Sequence, residues 1–317
     1  TRSAWYSKGN SDATTGDALV GAEGEDGTWG GASVSFPRIQ GADAVGTVVR
    51  VGESAEQSLI GQRVMIDGWL RDWDAPLNRS KAGYFGSECD GGYAQYTKVS
   101  HRQVHPVDAT MSDAELATFA CSYVTAENML NRGAVTAGDT VLVTGASGGV
   151  GSALIQLANR RGAQCVALCG ADKADAVKAV GPSAVIDRAC ADLGSALRDA
   201  IGRDSVDVVA DVVGGALWPQ LISALARGGR YTCAGAIAGP MVEFDLRTFY
   251  LRDLTFTGAT VPPPGVFGDL VGYIERGEIR PLLAATYALE DFHAAQQAFI
   301  EKRHVGNIVT EPFRSDP

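Results

Sequence analysis

The chain has 317 residues, 45% of them hydrophobic and 20% charged, with a net charge of −10, an ordinary soluble composition with length enough for two domains. That acidity, with a pI near 4.9, gives a nucleic-acid or anionic-membrane partner no electrostatic support. No run of about 18 apolar residues is present to span a bilayer.

The six cysteines are scattered, several in apparent core strands, where cysteine serves as a small buried hydrophobe, so a reduced, cytoplasmic setting is expected. The sequence opens at Thr1 with neither Met nor a signal-like segment, which predicts a natural N-terminus further upstream. Residues 9–35 are rich in Gly, Ser, Asp and Glu and read as a loop. From Phe36 the texture changes to β-branched alternation broken by Gly41, Gly46, Gly52 and Gly61. The stretches 41–52, 61–67 and 91–99 (GGYAQYTKV) read as short strands joined by tight turns. Between them, 69–89 is a long loop whose Trp69, Trp73, Tyr84 and Phe85 fit two uses, a wall for a flat substrate or a staple to the core. Ser112, with Glu115 three residues on, forms a capping box that starts a short helix, and a further helix ends at Gly133.

From Thr140 strands and helices alternate. Strands are expected at Val141–Thr144, Cys165–Leu168, Ala184–Ile186, Val206–Ala210, Gly229–Cys233 and Leu254–Gly258. Helices are expected at Gly149–Arg161, Asp172–Val180, Asp192–Ile201 and Ala216–Ala226. This order predicts an α/β fold with a parallel sheet covered on both faces. After Pro262–Pro264 come a helix over Val266–Gly277, a strand near Arg280–Tyr287 and a helix near Leu289–Lys302.

The most informative stretch is Val141–Gly151, VLVTGASGGVG. A buried-strand run leads into a loop of Gly145, Ser147, Gly148, Gly149, Val150 and Gly151, and the apolar stripe of a helix follows. Strand, glycine turn and helix form the first unit of a dinucleotide-binding fold. The glycines let the backbone approach a pyrophosphate, and the helix N-terminus faces the negative charge.

GADAVGTVVRVG, GGYAQY, YVTAENML, TGASGGVG, LARGGRYTCAG, FYLRDLTFTGAT and HVGNIV occur in that order along most of the chain. Together they resemble the medium-chain dehydrogenase/reductases, most closely the zinc-free quinone oxidoreductase branch. The resemblance implies a GroES-like, mostly-β substrate domain over 1–122, completed by 265–317, and a Rossmann NAD(P)-binding domain over 123–264. It places the active site in the cleft between them. Two departures stand out: the 9–35 stretch is longer than the family's link there, and Asn307 replaces a usual Lys.

Zinc members of this family use Cys, His and Cys, with a Glu after the His. Here Ala42-Asp43 stands in place of His-Glu, the segment around Trp5 and Tyr6 lacks the first Cys, and 69–90 contains only Cys89. Cys121 alone matches a ligand position, and one ligand does not make a tetrahedral site. His101, His105, His293 and His304 show no ligand spacing and read as surface or cap residues. No metal is expected. TGASGGVG also fits the short-chain dehydrogenase pattern, but none of the nine tyrosines has Lys four residues later.

NAD enzymes commonly end the second strand on an acid that holds the ribose 2′-OH. Here it ends Leu168-Cys169-Gly170-Ala171; Gly170 leaves room, Lys173 could pair with a phosphate, and Asp172 reads as a helix cap. NADPH is therefore expected, with NADH the alternative. With no metal and no Tyr/Lys pair to polarise an alcohol, what remains is hydride transfer to a small molecule already activated by conjugation, a quinone or an α,β-unsaturated carbonyl. The resemblance makes Tyr6 the candidate proton donor (or simply pocket wall), Thr125 a cofactor contact, and Gly235 and Ala236 the backbone that holds the carboxamide. It also implies a homodimer through the Leu254–Gly258 edge strand, where symmetry would cover an exposed edge. Two other readings stay open: a zinc alcohol dehydrogenase, for which ligands are missing, and a crystallin-like protein that binds NADPH without turnover.

Overall fold

Glycine-punctuated β-branched residues make short strands, because each Gly weakens pairing and invites a turn. The computed structural model describes residues 36–312. The first strands are β1 (Val45–Thr47), β2 (Arg63–Ile66), β3 (Trp69–Leu70), β4 (Gly83–Tyr84) and β5 (Val104–Pro106). β1, β2 and β5 form an antiparallel sheet in the order β1-β2-β5, and β3 pairs with β4 inside the loop read from sequence as irregular. The expected strand in 91–99 is absent. The N–H groups of Gly91, Gly92 and Tyr93 go to the carbonyls of Ile39, Gly41 and Gln40 instead, and Tyr96 stands 76% exposed. Helix α1 (Asp113–Ala117) starts at the predicted capping box: Ser112 Oγ accepts from the Glu115 N–H, and the Glu115 carboxylate accepts from the Ser112 N–H.

Among the described residues the chain divides into two compact units, 125–262 and 36–124 with 263–312. Helix α2 (Ala120–Arg132) contains the boundary. The 125–262 unit then alternates: β6 (Thr140–Val143), α3 (Gly149–Arg160), β7 (Gln164–Cys169), α4 (Ala174–Lys178), β8 (Ala184–Asp187), α5 (Leu193–Ile201), β9 (Val206–Asp211), α6 (Trp218–Ser223), β10 (Leu225–Cys233), α7 (Leu246–Leu251) and β11 (Thr255–Gly258). All six strands are parallel, in the order β11-β10-β9-β6-β7-β8. Every residue of β6 is buried, as is apolar surface on α3 that packs on the sheet, which explains why β6 reads as a continuous apolar run rather than an alternating one. Cys165 lies in that core, where burial pushes its thiol up to about 12, and all six cysteines are free.

Two expectations in this unit need correction. The helix expected at Ala216–Ala226 is a 3-10 turn at Gly215–Leu217 followed by α6, and Leu225 already belongs to β10, held in register opposite Val206. Asp172 is not a helix cap; it lies in a 3-10 turn, Ala171–Lys173, and Lys173 precedes α4 without a capping side chain.

The other unit is completed by α8 (Val266–Glu275), β12 (Leu283–Ala288), α9 (Phe292–Glu301) and β13 (Asn307–Glu311), with β12 and β13 paired in parallel. Asn307 acts locally. Its amide donates to the Thr118 carbonyl at 3.1 Å and to Ser122 Oγ at 3.2 Å, tying β13 to the turn between α1 and α2. No helix among the described residues is long and apolar enough to cross a membrane.

Candidate functional site

The chain reverses its direction of strand addition between β6 and β9. In an open parallel sheet that reversal leaves a crevice beyond the carboxyl ends of the two strands, where ligands bind. The loop after β6 fills this place. Gly145 adopts φ +58°, and a Cβ on it would meet Val212 and Val213 at 3.0 and 3.3 Å. A Cβ on Gly151 would come within 2.2 Å of the Gly145 carbonyl oxygen, so the first turn of α3 is pressed onto the loop. Gly148 is the N-cap of α3 and no side chain caps the helix. The first N–H groups of a helix have no partner within it, and its dipole places positive potential there. An uncapped N-terminus on a glycine turn suits a phosphate.

Of the predicted cofactor residues, the structure gathers most at one edge of the parallel sheet. Gly145, Ser147, Gly148, Gly149, Val150 and Gly151 follow β6; Gly170 and Lys173 follow β7; Gly235 and Ala236 follow β10. Thr125 is half-buried on α2, and among the described residues no side-chain hydrogen bond ties it to that edge. Tyr6, with Trp5 and the 9–35 stretch, lies outside the described residues.

The tip of β7 is more crowded than its sequence suggests. A Cβ on Gly170 would meet Asp172 Oδ1 at 2.5 Å, with Arg188 Nε at 3.8 Å. The exposed Asp172 carboxylate thus lies close over Gly170. Arg188, just past β8, was not legible as a site residue. Its N–H donates to the Cys169 carbonyl at 2.8 Å, which anchors it beside this tip. Among the described residues no carboxylate pairs with its guanidinium. The Cys169 thiol is pushed up by burial first and then by the charges of Asp172 and Asp187, while Arg188 and Lys173 act in the opposite direction. A hollow of about 230 Å³ opens here between Gly170, Ala174, Lys178 and Asp187.

In the other unit, the residues weighed as metal ligands have other partners. Asp43 Oδ1 accepts from the Cys121 N–H at the start of α2, so Asp43 serves a helix N-terminus. His105, expected at the surface, is half-buried in β5 with its ring 4.8 Å from that of Phe267, and burial lowers its pKa. His304 likewise lies against the ring of Phe299. Among the described residues no group of three or more His, Cys, Asp or Glu could hold a metal ion. The aromatic residues of 69–89 divide between their two readings. Trp69, Tyr84 and Phe85 are buried, with Trp69 and Tyr84 packed edge to face at 4.7 Å, and so act as staples. Trp73 is half-buried beneath the guanidinium of Arg102, 5.6 Å from its ring centre.

Comparison with known proteins agrees with this geometry. The family model described as "Alcohol dehydrogenase GroES-like domain" matches residues 14–109, and that described as "Zinc-binding dehydrogenase" matches 149–276. A solved structure from Sinorhizobium meliloti 1021, assigned as an alcohol dehydrogenase, is 48% identical with a TM-score of 0.84, over 88% of this chain and 77% of that one. The acryloyl-coenzyme A reductase of Metallosphaera sedula is 28% identical over 286 residues, 87% of this chain and 84% of its own. The 2-octenoyl-CoA carboxylase reductase CinF of a Streptomyces species, solved with NADP and 2-octenoyl-CoA, is 26% identical with a TM-score of 0.79, over 86% of this chain and 68% of that one.

Proposed function

We propose, for a chain that belongs to the medium-chain dehydrogenase/reductase superfamily, a zinc-independent, NADPH-preferring reduction of a small conjugated carbonyl, with an enoyl thioester, an enone and a quinone as the candidate acceptors. The observation that carries the reading is an uncapped glycine-loop helix at the sheet's switch point; separately, Ala42-Asp43 stands in the other unit. The first suits a dinucleotide pyrophosphate. The second offers no imidazole, and its carboxylate is committed to the N-terminus of α2.

NADP(H) would be held along the carboxyl edge of the parallel sheet. The N-terminus of α3 and the backbone of Gly145 to Gly151 would face the pyrophosphate, and Gly235 and Ala236 the carboxamide. At the tip of β7, Lys173 and the guanidinium of Arg188 favour a 2′-phosphate, Arg offering a planar fork and Lys a point charge. Asp172 is the opposing acid at that tip, and it would favour a ribose 2′-OH. The guanidinium of Arg188, which no carboxylate pairs with among the described residues, supports NADPH. The bound nicotinamide supplies the hydride-donor chemistry. The protein's part is to orient the partners and to stabilise developing charge, with Tyr6 the proposed proton donor. Two relatives whose names specify unsaturated thioesters support an acceptor of that class.

The test follows NADPH and NADH oxidation with crotonyl-CoA, a simple enone and a simple quinone, before and after a chelator. The expected result is NADPH-selective turnover of at least one conjugated carbonyl, unchanged by the chelator. One tightly bound zinc per chain, with activity lost on its removal, would overturn the zinc-independent reading. NADPH bound without oxidation by any acceptor would favour the non-catalytic binding protein.

The homodimer is proposed on the same terms. β11 ends the sheet order, and Leu246, Tyr250 and Leu251 of α7, which precedes it, are all more than half exposed. An open apolar edge of this kind is ordinarily covered. Light scattering at micromolar concentration should give twice the 33.1 kDa chain mass; a single 33.1 kDa species would overturn it.

A further inference from the structure

Asp211 closes β9 and has no exposed surface. A carboxylate taken out of water is costly unless its oxygens are fully hydrogen-bonded. This one has donors from three strand ends. Thr144 Oγ1 donates to it at 2.5 Å, Tyr231 Oη at 2.6 Å, the Val213 N–H at 2.8 Å, and the Gly214 N–H at 3.1 Å. Thr144 Oγ1 in turn accepts from the Val212 N–H at 3.0 Å. Two residues on from Tyr231, the Cys233 thiol donates to the Gly235 carbonyl at 3.3 Å. Burial and the Asp211 charge hold the Tyr231 phenol well above its usual pKa, so it stays a donor. Hydrogen bonds on one carboxylate therefore join Thr144, the residue before the glycine loop, to Tyr231 of β10 and to the turn at Val213 and Gly214.

The turns on either side are tight enough to feel this anchor. Ala234 N–H donates to the Asp211 carbonyl at 3.2 Å and Ala238 N–H to that of Val213 at 2.8 Å. A Cβ on Gly235 would stand 3.0 Å from the Val212 carbonyl oxygen. Strand order gives the anchor its side. β7 and β8 lie on one flank of β6, β9 and β10 on the other. In a dinucleotide fold the adenosine ribose meets the tip of the second strand, here β7, so the rest of the cofactor crosses the switch point towards β9 and β10.

We propose that Asp211 is a positioning residue which, through Thr144 and Tyr231, sets the turns that hold the nicotinamide half of the cofactor while leaving the adenosine half untouched. The inference rests on the dinucleotide reading above. Tyr231→Phe removes one hydroxyl and keeps the ring that packs against Trp218 and Phe256 at 4.9 and 5.5 Å. Thr144→Val removes the other hydroxyl, and Thr144→Ser restores it.

The test is calorimetric or fluorescence titration of the full chain with NADPH and with adenosine 2′,5′-bisphosphate, which lacks the nicotinamide half. Tyr231→Phe and Thr144→Val should each weaken NADPH about tenfold, the effect of one lost hydrogen bond to a charged group. Adenosine 2′,5′-bisphosphate should bind within about twofold of the unaltered protein, and Thr144→Ser should regain NADPH affinity. Equal weakening of both ligands would show a general structural role and overturn the proposal, as would no weakening of either. An unaltered protein that binds neither NADPH nor NADH would instead overturn the cofactor reading itself. If NADH proves the tighter ligand, the same comparison runs with NADH and AMP.

Discussion

Gly151→Ala should lower NADPH affinity about a hundredfold or more, about 2.8 kcal/mol, by moving the loop that faces the pyrophosphate. The added Cβ would lie 2.2 Å from the Gly145 carbonyl oxygen and 2.7 Å from both the Gly145 carbonyl carbon and Ala146 Cα. These are backbone atoms, so no rotamer change can relieve the clash. Neither can the loop yield freely. Ala146 N–H donates to the Leu168 carbonyl, Gly148 N–H to that of Gly145, and Gly145 is fixed at φ +58° against Val212 and Val213. Overpacking of this sort costs about 1–3 kcal/mol of stability, so the protein should fold with a lowered Tm and a displaced cradle. Gly52→Ala is the control, since a Cβ there meets nothing within 4 Å. Fluorescence titration with NADPH decides the matter. Undiminished affinity in a folded Gly151→Ala protein would mean that the pyrophosphate lies elsewhere.

What the sequence made legible follows from how local each interaction is. The capping box of Ser112 and Glu115 is contained in four residues, and both its bonds are present. β6 and its neighbours are buried on both faces, so their apolar runs announced a parallel sheet directly. The 91–99 stretch misled because alternation describes one strand, whereas a strand also needs a partner. Among the described residues no strand pairs with 91–99. The partners of Asp43 and Asp211 could not be read: the Cys121 N–H and the Thr144 hydroxyl lie 78 and 67 residues away. Arg188 was hidden differently, since its position depends on how β8 lies beside β7 and no motif marks it. The glycine loop was readable because strand, turn and helix are contiguous. The network that holds the loop in place was not, because it is assembled from three strands.

Trp69→Ala should destabilise the 36–124 and 263–312 unit by about 3–5 kcal/mol, the usual effect of emptying a buried aromatic site, and lower its Tm by roughly 10 °C. Trp69 is 4% exposed and sits opposite Tyr84 in the β3–β4 pair. The Tyr84 ring lies over Gly68, where a Cβ would be 2.8 Å from its carbons, so the lobe is built on close ring packing. Phe85 beside it is fully buried. Beneath the pair, the buried Asp67 carboxylate accepts from the Trp69 N–H at 3.1 Å and faces Arg71 at 3.8 Å. The polar links at the rim are weaker. Lys81 and Asp72 meet at 2.6 Å with the lysine largely exposed, and such surface pairs contribute little to stability. Stability of residues 69–89 thus rests on the Trp69, Tyr84 and Phe85 side chains. A four-cysteine zinc site cannot be drawn from a stretch whose one cysteine is Cys89. The measurement is thermal unfolding of the unaltered protein and Trp69→Ala, each with and without a chelator. A drop caused by the substitution and none by the chelator is the expected pattern. A large chelator-induced drop in the unaltered protein would mean that a metal, rather than these rings, holds the lobe.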